Sequence, residues 1–301
     1  MRGVFTTRVD PTYDDLPEQR YHFPRTYLRQ AEATIGDWIV YYEPRRTGAA
    51  DTVIGGRQAY FAVAKVAGVR PDLNLRDHFY ADVSDYLEFD RAVPFREGAH
   101  YFESALRRED GGTSKGAFGR AVRNVPDSEF DLILAAGFAP LVDSDAVRGA
   151  DDTSLPVGFA DEPAIFDRPI IERLTRRPFR DAAFAVAVKR AYADTCALTG
   201  LKITNGGGRT EAQAAHIRPV EHSGPDSVRN GMALSATAHW MFDRGLVSVG
   251  EDLTILTAKA AAPEALSRLL LPGGRIRPPA RPEWRPHPQF LHWHREHVFK
   301  G

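Results

Sequence analysis

The residues in this chain best placed to do chemistry are His216, Asn230, His239 and Asp243, all within one short stretch, EAQAAHIRPVEHSGPDSVRNGMALSATAHWMFDRG from Glu211 to Gly245. An imidazole and a carboxylate four residues apart, as His239 and Asp243 are, lie on one face if the segment is helical. Together they can hold one divalent cation and leave coordination positions for water and a phosphate oxygen. His216, arriving from a different element, is then free to take a proton from water. The chemistry implied is hydrolysis at a phosphate.

The elements that must position these side chains are legible around them. Glu211 to Ile217 alternates apolar and polar residues imperfectly, ends at Pro219, and reads as a strand that delivers His216 at its end. Glu221 to Arg229 is polar, contains Gly224 and Pro225, and reads as a loop before a second strand. Ser235 can cap a helix over Ala236 to Phe242, and Gly245 suits its left-handed end.

The run AHIRP, then NG, then HWMFDRG resembles the HNH nucleases, whose ββα-metal fold grips one metal between a strand and a helix. By position, the resemblance implies His216 as general base, Asn230 as the brace of the loop or of the base, and His239 as a metal ligand. Asp243 falls where some members carry a further ligand. The resemblance also implies a divalent cofactor, with Mg, Mn, Ni or Zn all open. The chain departs from the family at Ala215, where many members place an acidic or histidine ligand, so His216 as a ligand stays open too.

At 301 residues the chain has room for two domains, each with its own core. It contains no apolar run long enough to span a bilayer, and MRGVFTTRVDPTYDD lacks the apolar centre of a signal peptide, so a cytoplasmic location with no membrane partner is expected. A single cysteine, Cys196, excludes an intrachain disulfide and a multi-cysteine zinc site; it reads as a small, partly buried residue. The net charge of -1 conceals an asymmetry: residues 168–301 carry 20 Lys and Arg against 12 Asp and Glu, whereas residues 1–167 carry 19 against 28. The positive half fits a polyanionic partner. Within it, Arg177, Arg180, Arg218 and Arg244 are candidate phosphate contacts.

The N-terminal part, residues 1–138, reads as a mixed domain. GDWIVYYEP (Gly36 to Pro44) and QAYFAVAKVAGV (Gln58 to Val69) form neighbouring antiparallel strands, PRTYLRQAEATIG a short helix, and SEFDLILAAGF a helix stopped at Gly137. YHFP at Tyr21 to Pro24, with those two strands, resembles the PUA superfamily of β-barrels, which includes EVE-, YTH- and SRA-like modules. That resemblance implies recognition of a modified or flipped base in an aromatic pocket, for which Tyr21, His22, Phe23, Trp38, Tyr41 and Tyr42 are the candidates; the competing assignment is that aromatics alternating along a strand form core. Residues 139–168, rich in Asp, Pro and Gly, read as a linker, and residues 169–301 as the catalytic domain. Beyond the catalytic stretch, LVSV and LTIL form a hairpin, and FLHWHREHVF a terminal helix.

The expected fold is therefore α+β: a PUA-like β-barrel with flanking helices, followed by a ββα-metal HNH domain. The expected function is modification-dependent cleavage of double-stranded DNA carrying modified cytosine. A homodimer would supply the two active sites that two-strand cutting requires. The rival expectations are a protein that binds modified nucleic acid without cutting, favoured by Ala215, and a nuclease whose N-terminal domain is structural or binds protein.

Overall fold

The computed structural model describes residues 1–7, 16–44, 57–142, 170–208, 210–258 and 268–301. The chain divides into two compact units, residues 1–182 and 183–301, and the division falls inside a helix.

The first unit contains β1 (Gly3–Thr6), β2 (Arg20–Pro24), β3 (Trp38–Glu43), β4 (Ala59–Pro71), β5 (His78–Pro94), β6 (Arg96–Glu97), β7 (His100–Tyr101) and β8 (Val122–Asn124). Its helices are α1 (Leu28–Glu32), α2 (Lys115–Phe118), α3 (Asp127–Val142) and α4 (Ile170–Leu174), with the beginning of α5 (Arg177–Ala191). Six strands form one sheet in the order β2-β5-β4-β3-β1-β8; β1 and β3 are parallel and the other neighbours antiparallel. The GDWIVYYEP and QAYFAVAKVAGV segments thus pair as their composition suggests, Ile39 against Ala64 and Val40 against Val63. The long β4 and β5 shift register at three points, between Tyr60 and Ala62, Val63 and Lys65, and Val66 and Gly68. Each irregularity adds bend and twist, which curls the sheet into a half-barrel. Among the described residues β2 and β8 are its two edges, so the expected barrel is present only as this curled sheet with flanking helices.

Helix α3 does not stop at Gly137 as expected but runs on to Val142. The glycine serves packing instead: a Cβ there would lie 2.6 Å from the Phe89 ring. Most of the stretch read as a linker, residues 143–168, lies outside the described residues, and its first four residues belong to α3. The unit also buries an ionic cluster. Arg123 donates from Nε and Nη2 to the two carboxylate oxygens of Glu103 at 2.7 and 2.8 Å, and the Tyr60 hydroxyl donates to the same carboxylate at 2.7 Å. Burial and the Glu103 charge push the Tyr60 phenol well above its ordinary pKa.

The second unit is built on β9 (Gln213–His216) and β10 (Gly231–Leu234), an antiparallel pair with Gly231 opposite His216 and Leu234 opposite Gln213. Helix α6 (Ala236–Asp243) follows at once, then the hairpin β11 (Val247–Val249) and β12 (Ile255–Thr257), and finally α7 (Pro288–His297). Phe184, Val188, Ile217, Met232, Leu234, Met241, Phe242, Val247 and Phe290 share one core. Helix α6 contributes Ala238, Met241 and Phe242 to it, the 3- and 4-residue spacing that faces one side of a helix inward. Gly245 closes α6 with φ of 70°; a Cβ there would also collide with the Val298 carbonyl oxygen, so the left-handed turn and the close approach of the chain end both require glycine. Among the described residues, no helix is long and apolar enough to cross a membrane.

Candidate active site

Strand, loop, strand and helix bring the expected residues together. His216 ends β9, and His239 and Asp243 lie on α6. His216, His239, Asp243 and Arg244 line a single cleft of about 800 Å³. Its remaining walls include Val220 and His222 from the turn after β9, Trp240 from α6, and Trp293 and His297 from α7.

The His216 ring is fixed on two sides. It stacks on Phe184 with centroids 3.8 Å apart and planes 11° apart, and its Nε2 lies 3.0 Å from Oδ1 of Asp226, whose side chain is fully buried. A carboxylate can only accept, so Nε2 carries the hydrogen and the lone pair of the neutral ring is on Nδ1. His216 keeps 18% of its side-chain surface exposed.

Asn230 is fully buried and is not part of the cleft wall. Its Oδ1 accepts from the Arg218 N–H at 2.9 Å, and its Nδ2 donates to the Arg218 and Pro225 carbonyl oxygens, both at 2.9 Å. One amide therefore ties the two ends of the loop between β9 and β10. That loop carries Asp226, so Asn230 and His216 are mechanically connected through the carboxylate. Arg218 extends the bracing: its Nε donates to the His222 carbonyl at 2.7 Å, and its guanidinium lies 5.9 Å from the centre of the Trp293 ring.

On the helix side, His239 Nδ1 lies 2.8 Å from Gln213 Oε1, and His239 Nε2 lies 3.5 Å from Asp243 Oδ2. With Nδ1–H donating to the glutamine, a neutral ring turns a lone pair toward a carboxylate oxygen. Two acceptors facing each other at that distance are the arrangement a cation relieves, so the pair fits a divalent metal. Among the described residues no group of three His, Cys, Asp or Glu side chains is gathered as a metal site. The protein donors nearest to hand are thus two, consistent with Ala215 having nothing to offer. Ser235 takes the N-cap position of α6, but its side chain makes no capping bond; the Ala236 N–H instead donates to Glu211 Oε1 at 2.7 Å.

The other expected site residues lie elsewhere. Tyr21, His22, Phe23, Trp38, Tyr41 and Tyr42 are all buried in the first unit. Tyr21 stacks with Phe23 and donates its hydroxyl to the Thr6 carbonyl at 2.9 Å; His22 stacks on Tyr80 at 4.4 Å and lies 3.0 Å from Asp72; Tyr41 packs against Phe61 and Tyr86. Trp38, Tyr41 and Tyr42 lie on β3, which is buried along its whole length, and Tyr21, His22 and Phe23 lie at the centre of β2. Arg177 pairs with Asp181 and Arg180 with Asp85, and neither lines the cleft.

Residues 196–250 match the family HNH_2, described as HNH endonuclease. Over this segment the chain is similar to HNH endonucleases. No curated protein sequence matches the chain. Among solved structures, one titled "Modification dependent TagI restriction endonuclease" aligns over 98% of this chain and 81% of its own, with 15% identity and a TM-score of 0.33.

Sequence reasoning missed three side chains that set the geometry of this site: Asp226, Phe184 and Gln213. The signal for Asp226 was an acidic residue four before Asn230, in a loop the asparagine ties down. Gln213 begins β9, three residues before His216, and its Oε1 reaches His239 Nδ1 at 2.8 Å. Nothing in the sequence around Phe184 singles it out from the other apolar residues of its helix.

Proposed function

We propose that the protein is a metal-dependent DNA endonuclease in which the HNH domain cuts and the first unit reads base modification. The observation that carries the cutting activity is the convergence of His216, His239 and Asp243 on one cleft within the segment matched to the HNH family. His216 Nδ1 accepts a proton from the attacking water, the Asp226 carboxylate stabilises the imidazolium that results, and the Phe184 face keeps the ring in place. Asn230 holds the loop that presents Asp226. His239 and Asp243 are the residues that would hold the cation, which supplies Lewis-acid stabilisation of charge on the phosphate and leaving oxygen. Arg244, at the cleft wall, is placed to meet a backbone phosphate, and Arg218 stiffens the loop beside it.

The reading of modified cytosine rests on the resemblance of YHFP, GDWIVYYEP and AYFAVAKV to PUA-superfamily modules and on the aromatic density of the curled sheet. The six aromatic candidates are all buried within that unit. Cutting both strands requires two active sites, which a pair of chains on one duplex would provide.

A cleavage panel tests both halves: duplexes with cytosine, 5-methylcytosine, 5-hydroxymethylcytosine or glucosylated 5-hydroxymethylcytosine, each with and without divalent cation. Metal-dependent cutting of one modified class is expected. Cutting of all classes alike would leave the nuclease and remove the reader. The second reading, binding without cutting, draws on Ala215 and the two-donor set; retention of intact modified duplex at every metal tested would select it.

A further inference from the structure

One cleft residue has no part in the chemistry described above. Trp240 follows His239 on α6 and is 58% exposed, on the outward face that also carries Ala236, Asp243 and Arg244. Leaving a large indole in water forgoes the stabilisation that burial would give, and among the described residues no other ring or cation packs against it. The contrast with Trp293 is direct: that indole, on the α7 wall of the same cleft, is covered by a stacked His297 at 4.6 Å and by His222 at 5.1 Å. Trp240 is held instead on a rigid helix, immediately beside the candidate metal pair, with Arg244 one turn further along. Arg244 makes no side-chain ion pair among the described residues, so its charge is available to a polyanion.

An apolar wedge flanked by a cation is the combination by which proteins unstack a base step, with the apolar group entering between bases and the cation on the neighbouring phosphate. We propose that Trp240 is a DNA wedge: its indole contacts the bases next to the scissile phosphate and unstacks that step, so that the phosphodiester is presented to His216. This assignment rests on the nuclease reading and adds to it the deformation of the substrate. It favours duplex DNA over a protein partner because the residue shares its cleft with the groups suited to phosphodiester hydrolysis.

The test uses the full chain with His216→Ala to prevent cutting, and a duplex bearing 2-aminopurine on either side of the phosphate that the parent cleaves. Binding should raise 2-aminopurine emission at one of those positions. Adding Trp240→Ala should abolish the rise and weaken binding about 10- to 100-fold, the range reported by removing one base-stacking aromatic, while Trp240→Phe retains most of both. Trp240→Ala removes an exposed side chain, so an unchanged melting curve is expected alongside. Equal emission and affinity in the Trp240→Ala protein would overturn the wedge while leaving the nuclease intact. A parent chain that neither binds nor cuts any duplex would overturn the wedge and the nuclease reading together.

Discussion

His216 and His294 are the same side chain in nearly the same packing, used in opposite ways. Each imidazole stacks face to face on a phenylalanine, His216 on Phe184 at 3.8 Å and His294 on Phe242 at 3.7 Å, both with planes 11° apart. The difference lies in what holds the nitrogens. His294 accepts at Nδ1 from the Ser248 hydroxyl at 2.8 Å and donates from Nε2 to the Phe242 carbonyl at 3.1 Å, which satisfies both positions of the neutral ring inside the core. His216 has one nitrogen on a buried carboxylate and retains an exposed edge in the cleft. A neutral partner set closes a ring into structure, whereas an anionic partner on one side prepares the other side to take up a proton. The Tyr60, Glu103 and Arg123 cluster of the first unit shows that an anion alone is not enough: there the cation is also enclosed, and the charges are spent on each other.

The largest effect that would break this comparison is expected at the open ring. His216→Ala should reduce single-turnover cleavage by about 10²- to 10⁴-fold in protein that circular dichroism shows to be folded at the assay temperature, because the partly exposed ring faces the cleft. Parental cleavage rates in that variant would remove His216 from the reaction. At the closed ionic cluster the reverse is expected: Arg123→Met should leave the buried Glu103 carboxylate without its bidentate partner, at about 3–5 kcal/mol of stability. Urea unfolding measures it, and a loss under about 1 kcal/mol would mean the cluster behaves as a surface pair.

The third effect is the pH dependence of the closed ring. Burial, only partly offset by the Phe242 carbonyl, lowers His294 to about 4 from an ordinary value near 6.5. Its folded pKa lies below the unfolded one, so the unfolded chain binds the proton first. His294 should therefore withdraw stability as the pH falls from about 6.5 toward 4, on the order of 3 kcal/mol in all. Urea midpoints measured at intervals across that range should fall, and His294→Gln should flatten the slope. A variant with the parental slope would assign the acid sensitivity elsewhere.

How much of this was legible in the sequence follows from range. Alternation, turn residues and the Gly245 terminus exposed the β9, β10 and α6 succession, because each depends on neighbours a few positions away. The same local reasoning stopped α3 too early, since Gly137 answers to Phe89, a partner on another element. It also left open whether the β3 aromatics are core or pocket, since alternation cannot tell a strand covered on one face from one covered on both. In the site, the residues carrying an HNH pattern were readable, whereas Asp226, Phe184 and Gln213 acquire their roles only when the loop, α5 and β9 are folded against one another.

Asp226 gives the smallest of the four effects and the one that decides most about the comparison. Replacing it with asparagine keeps the shape and a hydrogen bond to His216 but removes the charge, and an amide N–H can donate to Nε2, which would move the ring hydrogen to Nδ1 and occupy the nitrogen assigned as base. The expected outcome is a fall in kcat of about 10- to 100-fold with KM for DNA nearly constant, since the ring still fills its place in the cleft. A carboxylate that acts only through His216 should add nothing once the imidazole is gone, so His216→Ala with Asp226→Asn should cleave no more slowly than His216→Ala alone. If the two losses multiply, Asp226 acts on the substrate or the metal independently, and His216 would be left with Phe184 alone to distinguish its open ring from the closed ring of His294.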